Sequence, residues 1–192
     1  MKNLLILLMA FICFNSAATW QKLLTEDGIT VYAQDGEHRI IPFKAEAIID
    51  APAERILSVL KDWKNKNKWS PKLKSVKMHE EGGADQYTFS EYYSTPWPAT
   101  DREFRLEGKI EKLKNGFLLS AQNAKNVRYK NEDHIQADVR TLDFRIVKIS
   151  DVKSKVMFEF HGDMKGWMPA WLVNIIQKKW PLRFIQGLRT QL

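Results

Sequence analysis

Cysteine is almost missing from this sequence. Cys13 is the single cysteine among 192 residues, and it lies inside an apolar run near the N-terminus. Bulky Ile12 precedes it where a lipidated cysteine requires a small residue, so we do not expect a lipid anchor. The residues after that run can form neither a disulfide nor a thiolate, and their fold must depend on a hydrophobic core. The 174 residues that follow residue 18 (192 less 18) are enough to bury one.

Signatures of catalysis and of metal binding are missing too. The sequence contains no HExxH, no G-x-S-x-G and no glycine loop of the kind that binds phosphate. Its four histidines are isolated from one another: His38, His79, His134 and His161. We therefore expect a protein without a catalytic residue set, without a metal ion and without a cofactor.

The first 18 residues have the pattern of a secretory signal peptide. Lys2 supplies positive charge, residues 4–14 form an apolar run of eleven, and residues 16–18 are the small residues Ser, Ala and Ala. A run of eleven is too short for a membrane anchor, which needs roughly 20 apolar residues. We expect residues 1–18 to be cleaved and residues 19–192 to form one exported domain, periplasmic or secreted. A buried core helix or an uncleaved anchor is the alternative.

Positive charge is in excess but not concentrated. Residues 19–192 contain 29 Lys and Arg (30 less Lys2) against 23 Asp and Glu, a net charge of about +6. The charges are spread in singles and pairs, which is typical of a solvated surface and not of a nucleic-acid site. We expect a monomer without a nucleic-acid partner. Attraction to the anionic head groups of a membrane surface is compatible with this charge.

Alternation of apolar and polar residues predicts mostly strands. They are expected at residues 29–33, 43–49, 73–78, 86–93, 102–113, 117–124, 135–149 and 155–163. A short helix is predicted at 53–60, and residues 20–24 are either a short helix or an extended lead. The pairs Asp27-Gly28, Gly82-Gly83 and Asn115-Gly116 predict turns. Runs of strands with helices to one side indicate an α+β fold with an antiparallel sheet.

Helical spacing is clearest near the C-terminus. Gly166 ends the preceding strand, and Pro169 is placed where a first helical turn tolerates a missing N–H. Apolar residues then recur at spacings of three, four and seven, namely Trp171, Leu172, Ile175, Ile176, Leu182, Ile185 and Leu188. Pro181 predicts a kink. Because the apolar face of an antiparallel sheet needs a cover, we expect this helix to pack on it.

Three groups of residues resemble the landmarks of a known family. They are Trp69-Ser70-Pro71, the run 98–104 (PATDREF), and the run 165–169 (KGWMP) with Val173-Asn174 after it. In this order they are similar to the START lipid-transfer domains, relatives of the steroidogenic acute regulatory protein, and the resemblance covers residues 19–192. It implies a helix-grip fold, in which a curved antiparallel β-sheet wraps around the long C-terminal α-helix. It also implies a tunnel that binds and carries one hydrophobic molecule, such as a lipid, a fatty acyl chain or a sterol-like compound, without catalysis.

Two charged residues are predicted to face the apolar interior. Glu91 shares a strand face with Tyr87 and Phe89. In the next strand, Arg102 lies on the same face as the apolar residues. Because an unpaired charge is costly in an apolar interior, we expect Glu91 and Arg102 to pair and to hold a polar group of the ligand. The alternative places Arg102 in solvent and Glu91 near a sheet edge. Sterol-carrying relatives have a similar carboxylate, but their arginine partner falls where this chain has Gly108, which argues against a sterol.

The final helix and one loop supply the other candidates. Trp171, Leu172, Ile175 and Ile176 are expected to form a floor or lid of the tunnel, although such a stripe is also typical of plain core. Trp97, between two prolines, is either a gate at the tunnel mouth or part of an ordinary turn. Two other functions stay open. One is a small enzyme of the same fold that acts on a polycyclic or acyl substrate, with Glu91 as acid or base. The other is an envelope interaction domain with a solid core.

Overall fold

The structure is a computed structural model that describes residues 19–34, 40–82, 85–125 and 133–192. The predicted signal peptide, residues 1–18, lies outside the described residues, as do His38 and Gly83 of one predicted turn. Within the described ranges, no helix is both long enough and apolar enough to span a bilayer.

The described chain forms ten strands, two α-helices and one short 3₁₀ helix. In chain order they are β1 (Gln21–Glu26), β2 (Ile29–Ala33), β3 (Phe43–Ile49), α1 (Ala53–Leu60), the 3₁₀ helix (Lys66–Lys68), β4 (Leu73–Gly82), β5 (Gln86–Tyr93), β6 (Arg102–Leu113), β7 (Gly116–Asn123), β8 (Ile135–Gln136), β9 (Asp138–Ser150), β10 (Lys153–Asp163) and α2 (Ala170–Arg189).

The structure decides between the two alternatives for the N-terminal segment, and it divides one of the expected strands. Residues 21–26 are extended because the Asp27-Gly28 turn, with φ of 52° and 68°, closes a hairpin that pairs β1 with β2. The strand expected at 135–149 is divided at Ala137, whose N–H donates to the carbonyl of Glu103. This division lets β8 pair in parallel with the first residues of β6, while β9 pairs with β7 and β10. A period of two residues marks a strand but does not show where the strand changes partner.

The strands form one curved sheet in the order β1-β2-β3-β10-β9-β7-β6-β5-β4, with β8 beside β6. Every pairing along this path is antiparallel. Helix α2 contacts β1, β2, β3 and α1, and its buried residues face the sheet. The α+β, helix-grip architecture predicted from the sequence is therefore confirmed.

Aromatic rings fill the interior beneath the C-terminal half of α2. Phe144 stacks on Phe158 with ring centroids 4.4 Å apart, and Phe184 of α2 lies 5.0 Å from Phe144. Trp180 meets Phe43 edge to face at 5.5 Å. Rings in such contact add about 0.5–1.5 kcal/mol per pair beyond the burial of their area. This half of the interface is solid core, so a space directly beneath α2 must lie under its other half.

Gly187 sets how closely α2 approaches the chain beneath it. A Cβ at this position would overlap the backbone oxygen of Trp69, the first residue of the Trp69-Ser70-Pro71 group. At an exposed position in a helix, replacement of glycine by alanine would stabilise the protein by about 1 kcal/mol. Here we expect Gly187→Ala to destabilise the domain by about 1–3 kcal/mol, because the added methyl overpacks the contact. Urea unfolding would measure this, with exposed Asn174→Ala as the control. A gain in stability for Gly187→Ala would contradict the close approach.

Candidate ligand-binding site

A cavity of about 110 Å³ lies between the N-terminal half of α2 and the sheet. Its walls come from the end of β5 and the loop after it, the start of β6, the segment before α2, and α2 itself. The apolar part of the lining consists of Phe104, Met164, Met168, Leu172, Ile176 and Trp180, together with Ile175 and Pro96 nearer the mouth. A mostly apolar lining with a few polar groups is typical of small-molecule sites.

One stripe of α2 forms the helical wall of the cavity. Leu172, Ile175, Ile176, Lys179 and Arg183 follow one another at spacings that bring them to one face of a helix. Leu172 is buried, and Ile175 lines the cavity although 48% of its surface is exposed. These positions agree with the predicted lid. The stripe continues with the cations Lys179 and Arg183, which a pattern of apolar residues does not identify.

Trp171, a predicted part of the lid, lies outside the cavity. Its side chain is 51% exposed and does not line the space beneath α2. Trp97 is 88% exposed and Trp167 is 64% exposed. The residues next to them in sequence, Pro96 and Met168, do line the cavity. The three tryptophans therefore surround its mouth and do not form its floor.

Trp180 is a lining residue outside the predicted set. Its indole Nε1–H is buried and has no hydrogen-bond partner among the described residues. A buried donor without a partner costs about 1–3 kcal/mol. This N–H is therefore available to an acceptor on a ligand. Trp180 lies four residues after Ile176, a helical spacing that places both on one face and could have identified it.

Glu91 is fully buried, as predicted, but its partner is Lys66 and not Arg102. Lys66 Nζ lies 2.5 Å from Glu91 Oε1, and the Tyr93 hydroxyl donates to Oε2 at 2.8 Å. Burial, together with the adjacent charge of Glu91, raises the pKa of the Tyr93 hydroxyl well above its ordinary value. Tyr93 therefore stays protonated and acts as a donor. The same Lys66 ammonium lies 5.2 Å from the centre of the Trp63 ring.

The predicted Glu91–Arg102 pair is wrong. Arg102 is 2% exposed, and its guanidinium donates to the carbonyl oxygens of Met164 at 2.9 Å and Lys165 at 3.0 Å. It also donates to the carbonyls of Thr100 and Trp167. The alternative of a solvent-exposed Arg102 is wrong as well. Arg102 fastens the segment before α2 to the sheet, and it also lines the cavity.

Tyr87 borders a polar groove of about 630 Å³ on the sheet. Together with Phe89 it also lines a second, smaller space. It measures about 30 Å³ and lies between β5, β6, β7 and the chain around Trp63 and Lys66. Trp63 packs against Phe89 with ring centroids 5.0 Å apart. The two predicted aromatic residues thus lie on the far side of the Lys66–Glu91 pair from α2. Glu91 lines neither of the two spaces.

The sequence model of one protein family, the START domain, matches residues 14–192. An uncharacterised protein of Pseudomonas aeruginosa is 25% identical to this chain over 177 residues, which are 91% of this chain and 87% of that protein. The match to the family covers both the α2 segment and the β5–β6 loop that bound the cavity.

Solved structures share the fold. Human STARD10 superposes with a TM-score of 0.81 at 16% identity, over 90% of this chain and 72% of that one. The STAR-related lipid transfer protein of Xanthomonas axonopodis gives 0.76 at 20% identity, over 89% of this chain and 97% of that one. The Zhui aromatase/cyclase of Streptomyces sp. R1128 superposes with a TM-score of 0.57 at 8% identity, over 79% of this chain and 93% of that one. At such low identities these likenesses concern the fold alone.

Proposed function

Because the chain belongs to the START domain family, we propose that it binds one hydrophobic small molecule beneath the N-terminal half of α2 and carries it. The apolar cavity under this helix, with its unpartnered indole N–H, is the observation that supports the proposal. Displacement of water by an apolar ligand would supply about 25 cal/mol for each Å² of apolar surface buried. The lipid transfer proteins with the same fold are consistent with this role.

The cavity must enlarge to hold such a ligand. Its 110 Å³ is below the roughly 300–1,000 Å³ of typical ligand pockets. The end of α2 is fixed, since Arg189 donates to the carbonyl oxygens of Asp27 at 2.6 Å and of Ile48 at 3.0 Å. The segment before α2 is fixed by Arg102. Between these two attachments Pro181 lacks the N–H that would continue the helical ladder. Residues 168–180 are therefore the part of the lid that we expect to move.

Extraction of the purified protein tests the proposal. The protein would be isolated without detergent, extracted with organic solvent and analysed by mass spectrometry. We expect about one amphiphilic molecule per chain, released together with a change in tryptophan fluorescence because Trp180 lines the cavity. A protein that carries no such molecule, and that also fails to bind a fluorescent fatty acid or its methyl ester, would exclude the carrier function.

The catalytic alternative has less support. The residue considered for acid or base chemistry, Glu91, is engaged by Lys66 and Tyr93 and lines neither space. The fold is shared with an aromatase/cyclase, but fold alone does not assign chemistry. The other alternative is an interaction domain with a solid interior. It agrees with the packed core beneath the C-terminal half of α2, but it gives no role to the cavity beneath the N-terminal half.

We also propose that the mouth of the cavity docks on a membrane surface that carries anionic lipid. Trp97, Trp167 and Trp171 are exposed around this mouth, and tryptophan favours the membrane–water interface. Co-sedimentation with vesicles of neutral and anionic phospholipid would test this. We expect the unmodified protein to bind the anionic vesicles. Replacement of all three tryptophans by alanine should weaken this binding at least tenfold. Equal sedimentation of the triple variant and the unmodified protein would contradict it.

Export is a separate proposal. The charge at Lys2, the apolar run 4–14 and the small residues 16–18 support cleavage after Ala18. Expression of the full chain in a bacterial host, followed by fractionation and intact-mass measurement, tests it. We expect the exported protein to begin at Thr19. A chain that keeps residues 1–18 in the cytoplasmic or membrane fraction would contradict the proposal.

A further inference from the structure

The charge of the cavity lining is of one sign. Four basic residues line it, namely Lys72, Arg102, Lys179 and Arg183, and no Asp or Glu does so among the described residues. The chain as a whole has 23 acidic residues against 30 basic ones. A lining with four cations and no anion is therefore not explained by the overall composition.

Three of these cations have no side-chain partner among the described residues. Lys72, Lys179 and Arg183 are exposed at the cavity and take part in no ion pair or side-chain hydrogen bond there, whereas Lys74, two residues from Lys72, is paired with Asp101. Lys179 and Arg183 are four residues apart on α2, a spacing at which like charges repel. An anion bound between them would remove this repulsion.

The buried polar groups at the cavity are donors as well. The Trp180 Nε1–H has no partner, and the Arg102 guanidinium is satisfied by carbonyl oxygens without a carboxylate. Glu91, a buried carboxylate two residues from the lining residue Tyr93, is held by the Lys66 ammonium at 2.5 Å. Because that negative charge is offset by its own partner, it opposes an incoming anion little. The site therefore offers positive charge and hydrogen-bond donors above an apolar floor.

We propose that the ligand is an acidic amphiphile, with an apolar chain beneath α2 and a carboxylate or phosphate head group held by Lys72, Lys179 and Arg183 at the mouth. This inference rests on the proposed function and narrows the class of ligand. Carboxylates and phosphates accept charge-assisted hydrogen bonds, which are roughly twice as strong as neutral ones. A neutral sterol or ester could offer a neutral acceptor but would leave the positive charge of all three cations uncompensated.

Fluorescence titration with cis-parinaric acid and with its methyl ester tests the inference, since the two probes share one apolar chain. We expect the acid to bind at least tenfold more tightly than the ester. Hexadecanoate and hexadecyl phosphate would then compete for the bound probe, which distinguishes a carboxylate site from a phosphate site. If either of these anions displaces the bound probe at a lower concentration than hexadecanol does, the result supports an acid-binding site.

Charge-neutralising variants assign the preference to the three cations. In the variant Lys72→Gln/Lys179→Gln/Arg183→Gln we expect the acid to lose its advantage while the affinity for the ester stays within about twofold. The variant Lys22→Gln/Lys64→Gln/Lys114→Gln removes the same charge at exposed positions away from the cavity and should keep the full preference. Because all six positions are exposed, we expect both variants to fold with nearly unchanged stability, which urea unfolding would measure.

The outcomes separate the two proposals. Equal affinity of the unmodified protein for acid and ester would overturn the acidic ligand and leave the carrier function standing. A preference that survives in the first triple variant would also overturn it, because the cations at the mouth would not be its source. Failure of both probes to bind would overturn the carrier function and the acidic ligand together.

Discussion

Replacement of Lys66 by methionine is expected to lower the free energy of unfolding by about 3–5 kcal/mol, the usual cost of removing one partner of a buried ion pair. Lys66 and Glu91 are both nearly inaccessible, with 5% and 0% of their side chains exposed. Without the ammonium, the Tyr93 hydroxyl is the one side-chain partner of Glu91 left among the described residues. The remaining carboxylate must then be buried unpaired or take up a proton, and either outcome weakens the folded state.

Urea unfolding measures the effect. Exposed Lys64→Met lies two residues away in the same lysine-rich stretch and should change the free energy by no more than about 0.5 kcal/mol. The double variant Lys66→Met/Glu91→Leu should recover much of the loss, because replacing both members of a buried pair by apolar residues is often neutral. Equal stability of Lys66→Met and Lys64→Met would show that the pair is not buried as the structure has it.

Replacement of Ile176 by tryptophan is expected to weaken ligand binding at least tenfold. Ile176 is half-buried on the stripe of α2 that lines the cavity. An indole at this position would occupy much of a space that measures only about 110 Å³. The bound chain would have to share this space or lift the helix further, and both would reduce the affinity.

Titration with cis-parinaric acid measures this loss. The control is Ile149→Trp, because Ile149 is 52% exposed on the hairpin between β9 and β10, away from the cavity. The control variant should bind as the unmodified protein does. If Ile176→Trp folds normally and keeps its full affinity, the ligand does not bind beneath this part of α2.

Local sequence patterns were sufficient to predict most of the fold. The Asp27-Gly28 and Asn115-Gly116 pairs lie at the two hairpin turns where they were expected, and β2 and β3 alternate as a half-buried sheet requires. Helix α1 has the predicted bounds. These features depend on residues close together in the chain, which is why sequence alone could identify them.

The partners of the buried charges could not be predicted in the same way. The alternation of side chains along a strand correctly placed Glu91 and Arg102 on the inward faces of their strands. Alternation does not show which charged group from another element lies next to each of them. Lys66 comes from a polar stretch in which Lys64 and Lys68 are exposed. Nothing in that stretch distinguishes the one buried lysine. Its burial follows from the path of the chain between α1 and β4, which is a tertiary property.

The extent of the cavity was also beyond the sequence. Leu182, Ile185 and Leu188 have the same periodicity as Leu172 and Ile176, yet the first three belong to solid core. The difference arises from Phe158, Phe160 and other rings that the sheet contributes beneath the C-terminal half of α2. Helical periodicity reports which face is apolar. It does not report how much volume the opposing surface fills.

Photo-cross-linking would locate the ligand directly. A fatty acid that carries a diazirine on its chain would be bound to the unmodified protein, irradiated, and mapped by peptide mass spectrometry. We expect adducts in the segment from Tyr93 to Pro96 and in the segment from Met164 to Trp180, with loss of both when unlabelled fatty acid competes. Competable adducts confined to other surfaces of the sheet, with none on these two segments, would contradict a ligand site beneath α2.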